Sequence, residues 1–470
     1  MNPLKKLLSQ TAIYGLSSVV GRLLNYLLVP LYTRYFLPAE YGVVTELYAY
    51  VAFLVIVLTY GLETAFFRFS QKDNDTKVVY STALISLLVS SVIFVALMFV
   101  SSTSIANWMG YAGHTEYIEW FAIIIALDAI SSISFARLRE QDKAVRFAMV
   151  RLVNIFVNIG FNLYFIVHKE FGIEYIFIAN LIASIVTIVL LLPEMINSSW
   201  RFDKVLWKKM MIYALPLLIA GLAGMTNETI DRVLLKHLLP NTEIAATELG
   251  LYGAFYKLSI IMTLFIQTFR FAAEPFFFAQ EKEGNSRKIY ADVMKYFTIV
   301  MAIIFLGVTI FYDVIKGFLG DEYHDERGFL VVSILLLANL FLGIYYNLSI
   351  WYKLTEKTKY GAYLSIFGAI ITLALNFILI PIIGFVGSAW ATLVCYFSMT
   401  VASYFIGKKH FPIPYQVGKI SLYLFSMLGI YFFIYFSDSN MWFNALYLIA
   451  FIILIFILEK QNKTLISNPK

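Results

Sequence analysis

The sequence predicts an all-α polytopic membrane protein of about fourteen transmembrane helices. Three observations carry that prediction. Apolar residues make up 60% of the 470 positions, where soluble domains hold about 45–50%. Charged residues make up 14%, against about 25% in soluble domains, too few to cover a water-soluble surface. The apolar residues fall into long unbroken runs, and mean hydropathy is +0.76. At about 20 residues per crossing, fourteen spans take up well over half the chain. A soluble enzyme, a nucleic-acid binder, a secreted disulfide scaffold and a disordered chain are excluded. So is an outer-membrane barrel, whose strands would be about ten residues of alternating pattern.

The spans run 9–32, 42–68, 78–100, 117–137, 146–168, 175–194 and 209–238, then 249–279, 291–315, 328–352, 361–383, 385–406, 416–436 and 441–459. Helices are required because open strands leave backbone groups unpaired in hydrocarbon. Lys5 and Lys6 precede the first span, but that span exceeds twenty residues, contains Arg22 and lacks an A-x-A cleavage site. It reads as a retained helix and not as a cleaved signal. The connections are short, often basic or rich in Gly and Pro, and none is long enough for a soluble domain. The single cysteine, Cys395, lies in an apolar run and reads as a packed thiol.

Basic residues orient the chain. With the N-terminus inside, even-numbered connections and both termini hold 24 of the 36 Lys and Arg residues, and odd-numbered connections hold 6. Cytoplasmic loops carry the Lys/Arg excess. Both termini are therefore expected in the cytoplasm, and the net charge of +6 is no sign of a nucleic-acid partner.

An internal repeat sets the architecture. At an offset of 202 residues Leu37-Pro38 falls on Leu239-Pro240, and Thr45-Glu46-Leu47 on Thr247-Glu248-Leu249. Tyr50 falls on Tyr252, Phe67-Arg68-Phe69 on Phe269-Arg270-Phe271, Asn25 on Asn227 and Arg34 on Lys236. Six spans separate the copies, so both run in the same direction: a parallel repeat with its pseudo-two-fold axis along the membrane normal. The expected organisation is a six-helix lobe at 1–208, a second at 209–410, and an added C-terminal helix pair with a cytoplasmic tail at 411–470. Two such lobes around a central cavity favour a transporter over a channel or an enzyme.

Charges inside spans mark candidate sites, because each costs roughly 3 kcal/mol near the bilayer centre and seeks a cavity or a partner. In the first span Thr11, Tyr14, Ser18, Arg22 and Asn25 share one helix face. In the fifth, Arg151, Asn154, Asn158 and Asn162 do so. In the eighth, Gln267, Arg270 and Glu274 align, with Lys257 nearer the outside. Asn227, Glu228, Asp231 and Arg232 crowd the outer half of the seventh span, and Glu46 and Asp128 lie within the second and fourth. Arg22, Arg151, Lys257 and Arg270 suit an anionic ligand, since guanidinium pairs bidentately with phosphate oxygens. Tyr14, Ser18, Asn25, Asn154, Asn158, Asn227 and Gln267 suit hydroxyl-rich sugars. Glu46, Asp128, Asp231 and Glu274 are candidates for ion coupling or for charge pairing. Arg68, Arg151, Arg270 and Lys295 also lie where snorkelling to the interface would explain them, and Asp231-Arg232 also reads as a structural pair. No phosphate-binding loop, H-E-x-x-H motif or zinc-ligand cluster is present, and no cofactor or metal is expected.

The stretch LLVPLYTRYFLPAEYGVVTELYAYVAFLVIVLTYGLETAFFRF, Leu27 to Phe69, resembles the opening of bacterial polysaccharide-biosynthesis flippases. These are the Wzx-like branch of the multidrug/oligosaccharidyl-lipid/polysaccharide (MOP) exporter superfamily. Ala214 to Leu218 with Asp231-Arg232, KLSIIMTLFIQTFRFAAEPFFF from Lys257, and GIYYNLSIWYKLTEKTKY from Gly343 are similar to its later helices. The resemblance implies fourteen spans, a cationic central cavity and transport without catalysis. The implied cargo is a polyprenyl-pyrophosphate-linked oligosaccharide, moved across the inner membrane by alternating access. It would feed a surface polysaccharide such as O-antigen, capsule or exopolysaccharide, with polymerase machinery as a partner. Arg22, Arg151 and Arg270 would neutralise the pyrophosphate, and the last two spans would flank the lipid-tail groove. The rivals are a multidrug/cation antiporter of the same fold, a lipid II flippase and a membrane-embedded glycan polymerase or acyltransferase. Drug-exporting relatives carry an acid in the first helix, where this chain has Arg22.

Overall fold

The computed structural model describes residues 20–21, 23–71, 75–280, 285–437 and 440–467. The helices are α1 (Val29–Tyr35), α2 (Pro38–Thr59), α3 (Leu62–Ser70), α4 (Thr76–Trp108), α5 (Thr115–Glu140) and α6 (Ala144–Asn162), the last running into a π turn at Leu163–His168. They continue as α7 (Glu174–Ile196), α8 (Lys204–Leu238), α9 (Thr242–Leu258), α10 (Ile260–Gln280), α11 (Ser286–Ile310) and α12 (Tyr312–Lys316). Last come α13 (Gly328–Leu348), α14 (Ile350–Leu354), α15 (Lys359–Ile383), α16 (Phe385–His410), α17 (Val417–Phe436) and α18 (Met441–Ser467). Thirteen helices among the described residues are long and apolar enough to cross a membrane. They correspond to the second to fourteenth expected spans. Half of the expected first span, 9–32, lies outside the described residues.

Several helix ends differ from expectation for local reasons. α4 runs on to Trp108 through Ser101, Ser102, Thr103 and Ser104, because hydroxyls there bond within the helix: Ser102 Oγ donates to the Phe99 carbonyl at 2.9 Å. α8 starts at Lys204, where the Asp203 carboxylate accepts from the Val205 and Leu206 N–H groups, each at 2.9 Å, and caps the free donors. The expected second span is broken between α2 and α3, where Tyr60 and Gly61 take φ of 33° and 73°. A side chain on Gly61 would press 3.0 Å from the Ala214 carbonyl oxygen, so both conformation and space require glycine. The expected eighth span breaks likewise at Ser259, between α9 and α10.

The helices group into two compact units: Met1–Gly253 with Ser365–Ser388, and Ala254–Leu364 with Ala389–Lys470. The first unit is built on α5, which is buried over most of its length. Its core joins Leu62, Phe66, Tyr80, Leu84, Ile133 and Met210. Tyr48, Phe121, Phe177 and Tyr117 form a second aromatic stack. In the second unit α11 and α13 are the most buried spans, and Phe265 and Phe269 pack on Phe297. Outward faces stay apolar, as with Val92, Ile93, Leu97 and Val100 of α4. Such faces are suited to hydrocarbon. Cys395 is fully buried.

Candidate functional site

The charged positions singled out from sequence fall into several separate clusters. Tyr14, Ser18 and Arg22 lie outside the described residues. Asn25 is exposed ahead of α1.

In the first unit the α6 stripe turns toward its neighbours. Asn154 Nδ2 donates to Thr187 Oγ1 on α7 at 2.9 Å. Asn162 donates to Asn158 Oδ1 at 3.0 Å and accepts from the Tyr32 hydroxyl at 2.9 Å. Arg151 is exposed, with its guanidinium 4.3 Å from the centre of the Phe135 ring. Asp128 accepts from Ser184 Oγ at 3.0 Å and feels the charge of Arg151. The stripe is therefore a bonded ladder with one cation at its end.

A second cluster sits at the end of the spans that is poor in Lys and Arg. Glu46 on α2 is fully buried and accepts from the Tyr111 hydroxyl. Lys236 Nζ, at the end of α8, lies 3.5 Å from the same carboxylate. Burial, with the Glu46 charge beside it, pushes the Tyr111 hydroxyl well above its ordinary range, so it stays a donor. Next to it the Tyr50 hydroxyl lies 2.8 Å from His237 Nε2, and His237 stacks on Trp108. Asp231 accepts from the Tyr252 hydroxyl at 2.5 Å, and Asn227 donates to the Ser365 carbonyl at 3.0 Å.

In the second unit Arg270 and Glu274 meet on α10 at 3.6 Å, and the Arg270 guanidinium lies 4.0 Å from the centre of the Tyr346 ring. Lys353 Nζ binds Glu274 at 2.6 Å. Two cations thus share one carboxylate. Arg270 stays 39% exposed, and its buried Nε has no hydrogen-bond partner among the described residues. Gln267 and Lys257 are half-buried, Gln267 one turn before Arg270 and Lys257 in the last turn of α9. Arg151 belongs to the first unit, Lys257 and Arg270 to the second.

Sequence reading missed the partners. Tyr111 falls in the connection between the expected spans 78–100 and 117–137, and Lys236 at the very end of 209–238. Only the match of Lys236 to Arg34 at offset 202 hinted that its position matters. Arg137 is the last residue of the expected span 117–137, where an exposed interfacial charge is expected, yet it is buried. It donates to the Glu194 carbonyl at 2.5 Å and the Asn197 carbonyl at 3.1 Å, and covers the Tyr80 ring. It ties the end of α5 to the end of α7. Arg137→Ala is expected to cost about 2–3 kcal/mol through these lost charge-assisted bonds, read as a lower melting temperature in detergent. An unchanged melting temperature would make Arg137 a surface charge only.

The fold is similar to that of several solved membrane transporters. A structure of the lipid II flippase MurJ in an inward closed conformation matches with a TM-score of 0.75 at 16% identity, over 97% of this chain and 99% of that one. An inward-facing multidrug resistance MATE family transporter of the MOP superfamily matches with a TM-score of 0.65 at 13% identity, over 85% and 94%. A MATE structure in complex with MaD3S gives 0.64 at 13% identity, over 87% and 96%. At these identities the likeness is one of fold. The polysaccharide biosynthesis protein family matches residues 31–327, more than half the chain, and the protein belongs to that family. No curated protein matches the sequence.

Proposed function

We propose that the protein is a flippase that carries a polyprenyl-pyrophosphate-linked oligosaccharide repeat unit across the inner membrane by alternating access, for assembly of a surface polysaccharide. The observation that carries this reading is the pairing of family and fold. A polysaccharide biosynthesis protein is similar in fold, over nearly its whole length, to the lipid II flippase MurJ. The chemistry supports it. A sugar chain and a multiply charged phosphate cannot cross hydrocarbon unaided. Arg22, Arg151, Lys257 and Arg270 are the cations offered to the phosphates, and the polar side chains beside them are offered to the sugars. The lipid tail stays in the bilayer beside the C-terminal helix pair, both termini face the cytoplasm, and the polymerase receives the flipped unit.

Deleting the gene tests the proposal. Loss of the surface polymer with accumulation of a complete lipid-linked repeat unit is the expected outcome, and the sugars of that unit would name the substrate. Unchanged glycans with heightened sensitivity to cationic drugs would sink it in favour of the antiporter. A second reading, a lipid II flippase, draws on the MurJ likeness. It requires the gene to be essential and the peptidoglycan precursor to accumulate.

A further inference from the structure

The two copies of the sequence repeat meet face to face within the first unit, through α2 of one and α9 of the other. A side chain on Gly42 would run into the Ala246 carbonyl, and one on Gly250 into the Pro38 carbonyl. A Cβ on Gly253 would stand 3.3 Å from the Thr45 Cβ. The helices therefore touch at their backbones, an approach that small residues permit. On the same face of α2 lies Glu46, held by Tyr111 and Lys236. Lys236 is itself nearly buried, and its ammonium lies 5.1 Å from the centre of the Tyr111 ring. The second carboxylate oxygen, Oε1, is buried with no hydrogen-bond partner among the described residues.

The repeat carries the acid and the base at matching positions in both copies. At the offset of 202, Glu46 falls on Glu248 and Lys236 on Arg34. An acid of one copy that faces a base of the other thus has a sequence counterpart in Glu248 and Arg34. A two-fold axis imposes reciprocity on an interface, and the matching positions agree with that in sequence. A buried ion pair adds little net stability, yet separating its partners is costly while either stays out of water. It is therefore suited to bias an equilibrium between a shut and an open arrangement. We propose that Glu46, Lys236 and Tyr111 form a latch that holds the extracytoplasmic ends of the two repeat copies together, and that opening to that side breaks it. The inference rests on the alternating-access reading.

Ala49 provides the reporter. It lies one turn deeper than Thr45 and Glu46 on the same helix face and is 2% exposed. The protein carrying Cys395→Ala and Ala49→Cys is treated in intact cells with a membrane-impermeant maleimide. Labelling is expected to be slow, and to quicken about tenfold with Glu46→Gln or Lys236→Gln. The charge swap Glu46→Lys with Lys236→Glu keeps the pair and should restore slow labelling, which covers the case of a single variant that fails to insert. In a second chain, Thr45→Cys with Gly253→Cys places the Cβ atoms close to the roughly 3.5–4.5 Å of a disulfide. Oxidation should then abolish surface-polymer export and reduction restore it. Labelling that ignores both neutralising substitutions, or full export by the oxidised cross-linked chain, would overturn the latch. Labelling involves no substrate, so the latch can stand or fall apart from the flippase reading.

Discussion

Replacing Arg270 with alanine is expected to reduce surface-polymer export about 10–100-fold, with the lipid-linked unit accumulating, while the protein stays at its normal level in the membrane. The size follows from the chemistry of one charge-assisted contact, about 1.5–3 kcal/mol. Arg270 is poised to make that contact. Lys353 already neutralises Glu274 at 2.6 Å, while Arg270 stands 3.6 Å from the same carboxylate. The trio Arg270, Lys353 and Glu274 therefore keeps one surplus positive charge. Tyr346 supports the guanidinium from one side, which holds the fork in place without quenching its charge. Arg270→Lys keeps the charge and loses the planar fork, so an intermediate level is expected. Glu274→Gln should leave export at or above the parental level, because it removes only a competitor for the phosphate. Parental polymer levels in Arg270→Ala would show that this cation does not meet the substrate.

The contrast between what was legible in the sequence and what was not follows from the physics of each signal. Span positions were legible because every crossing must be apolar for about twenty residues. The breaks at Tyr60-Gly61 and Ser259 were not, because the apolar run continues through both. The acids within spans, Glu46, Asp128 and Asp231, stood out because a charge in hydrocarbon needs a partner. Their partners did not, because Tyr111 is 65 residues from Glu46 and Ser184 is 56 from Asp128. Packing sets such pairs, and helical periodicity along one segment does not reveal them. The α6 ladder shows both sides. Its spacing put Asn154, Asn158 and Asn162 on one face, while only the fold shows that Thr187 and Tyr32 use up part of their bonding capacity.

The same distinction bears on Lys295, which sequence position alone allowed to be a snorkelling residue. It is 3% exposed, and its ammonium binds Glu459 Oε2 at 2.6 Å. The Tyr423 hydroxyl donates to the other oxygen of Glu459 at 2.7 Å, and Lys419 lies 3.7 Å away. One acid near the end of α18 thus gathers α11 and α17 around it and fastens the C-terminal helix pair within the second unit. Removing one member of a buried pair strands the other, at about 3–5 kcal/mol. Asp292, 3.6 Å from Lys295, stays to soften that loss. Glu459→Gln is therefore expected to cost about 2–3 kcal/mol, read as a clear fall in melting temperature and faster proteolysis of the C-terminal pair. Lys295→Met should cost less than Glu459→Gln, because Glu459 keeps Tyr423 and Lys419. Joining Lys295→Met to Glu459→Met should recover much of the loss, since no ion is then left unpaired. Equal, additive effects of the two single changes would mean that the residues do not act as a pair. A Glu459→Gln protein with parental melting behaviour would mean that apolar packing alone holds the C-terminal helices.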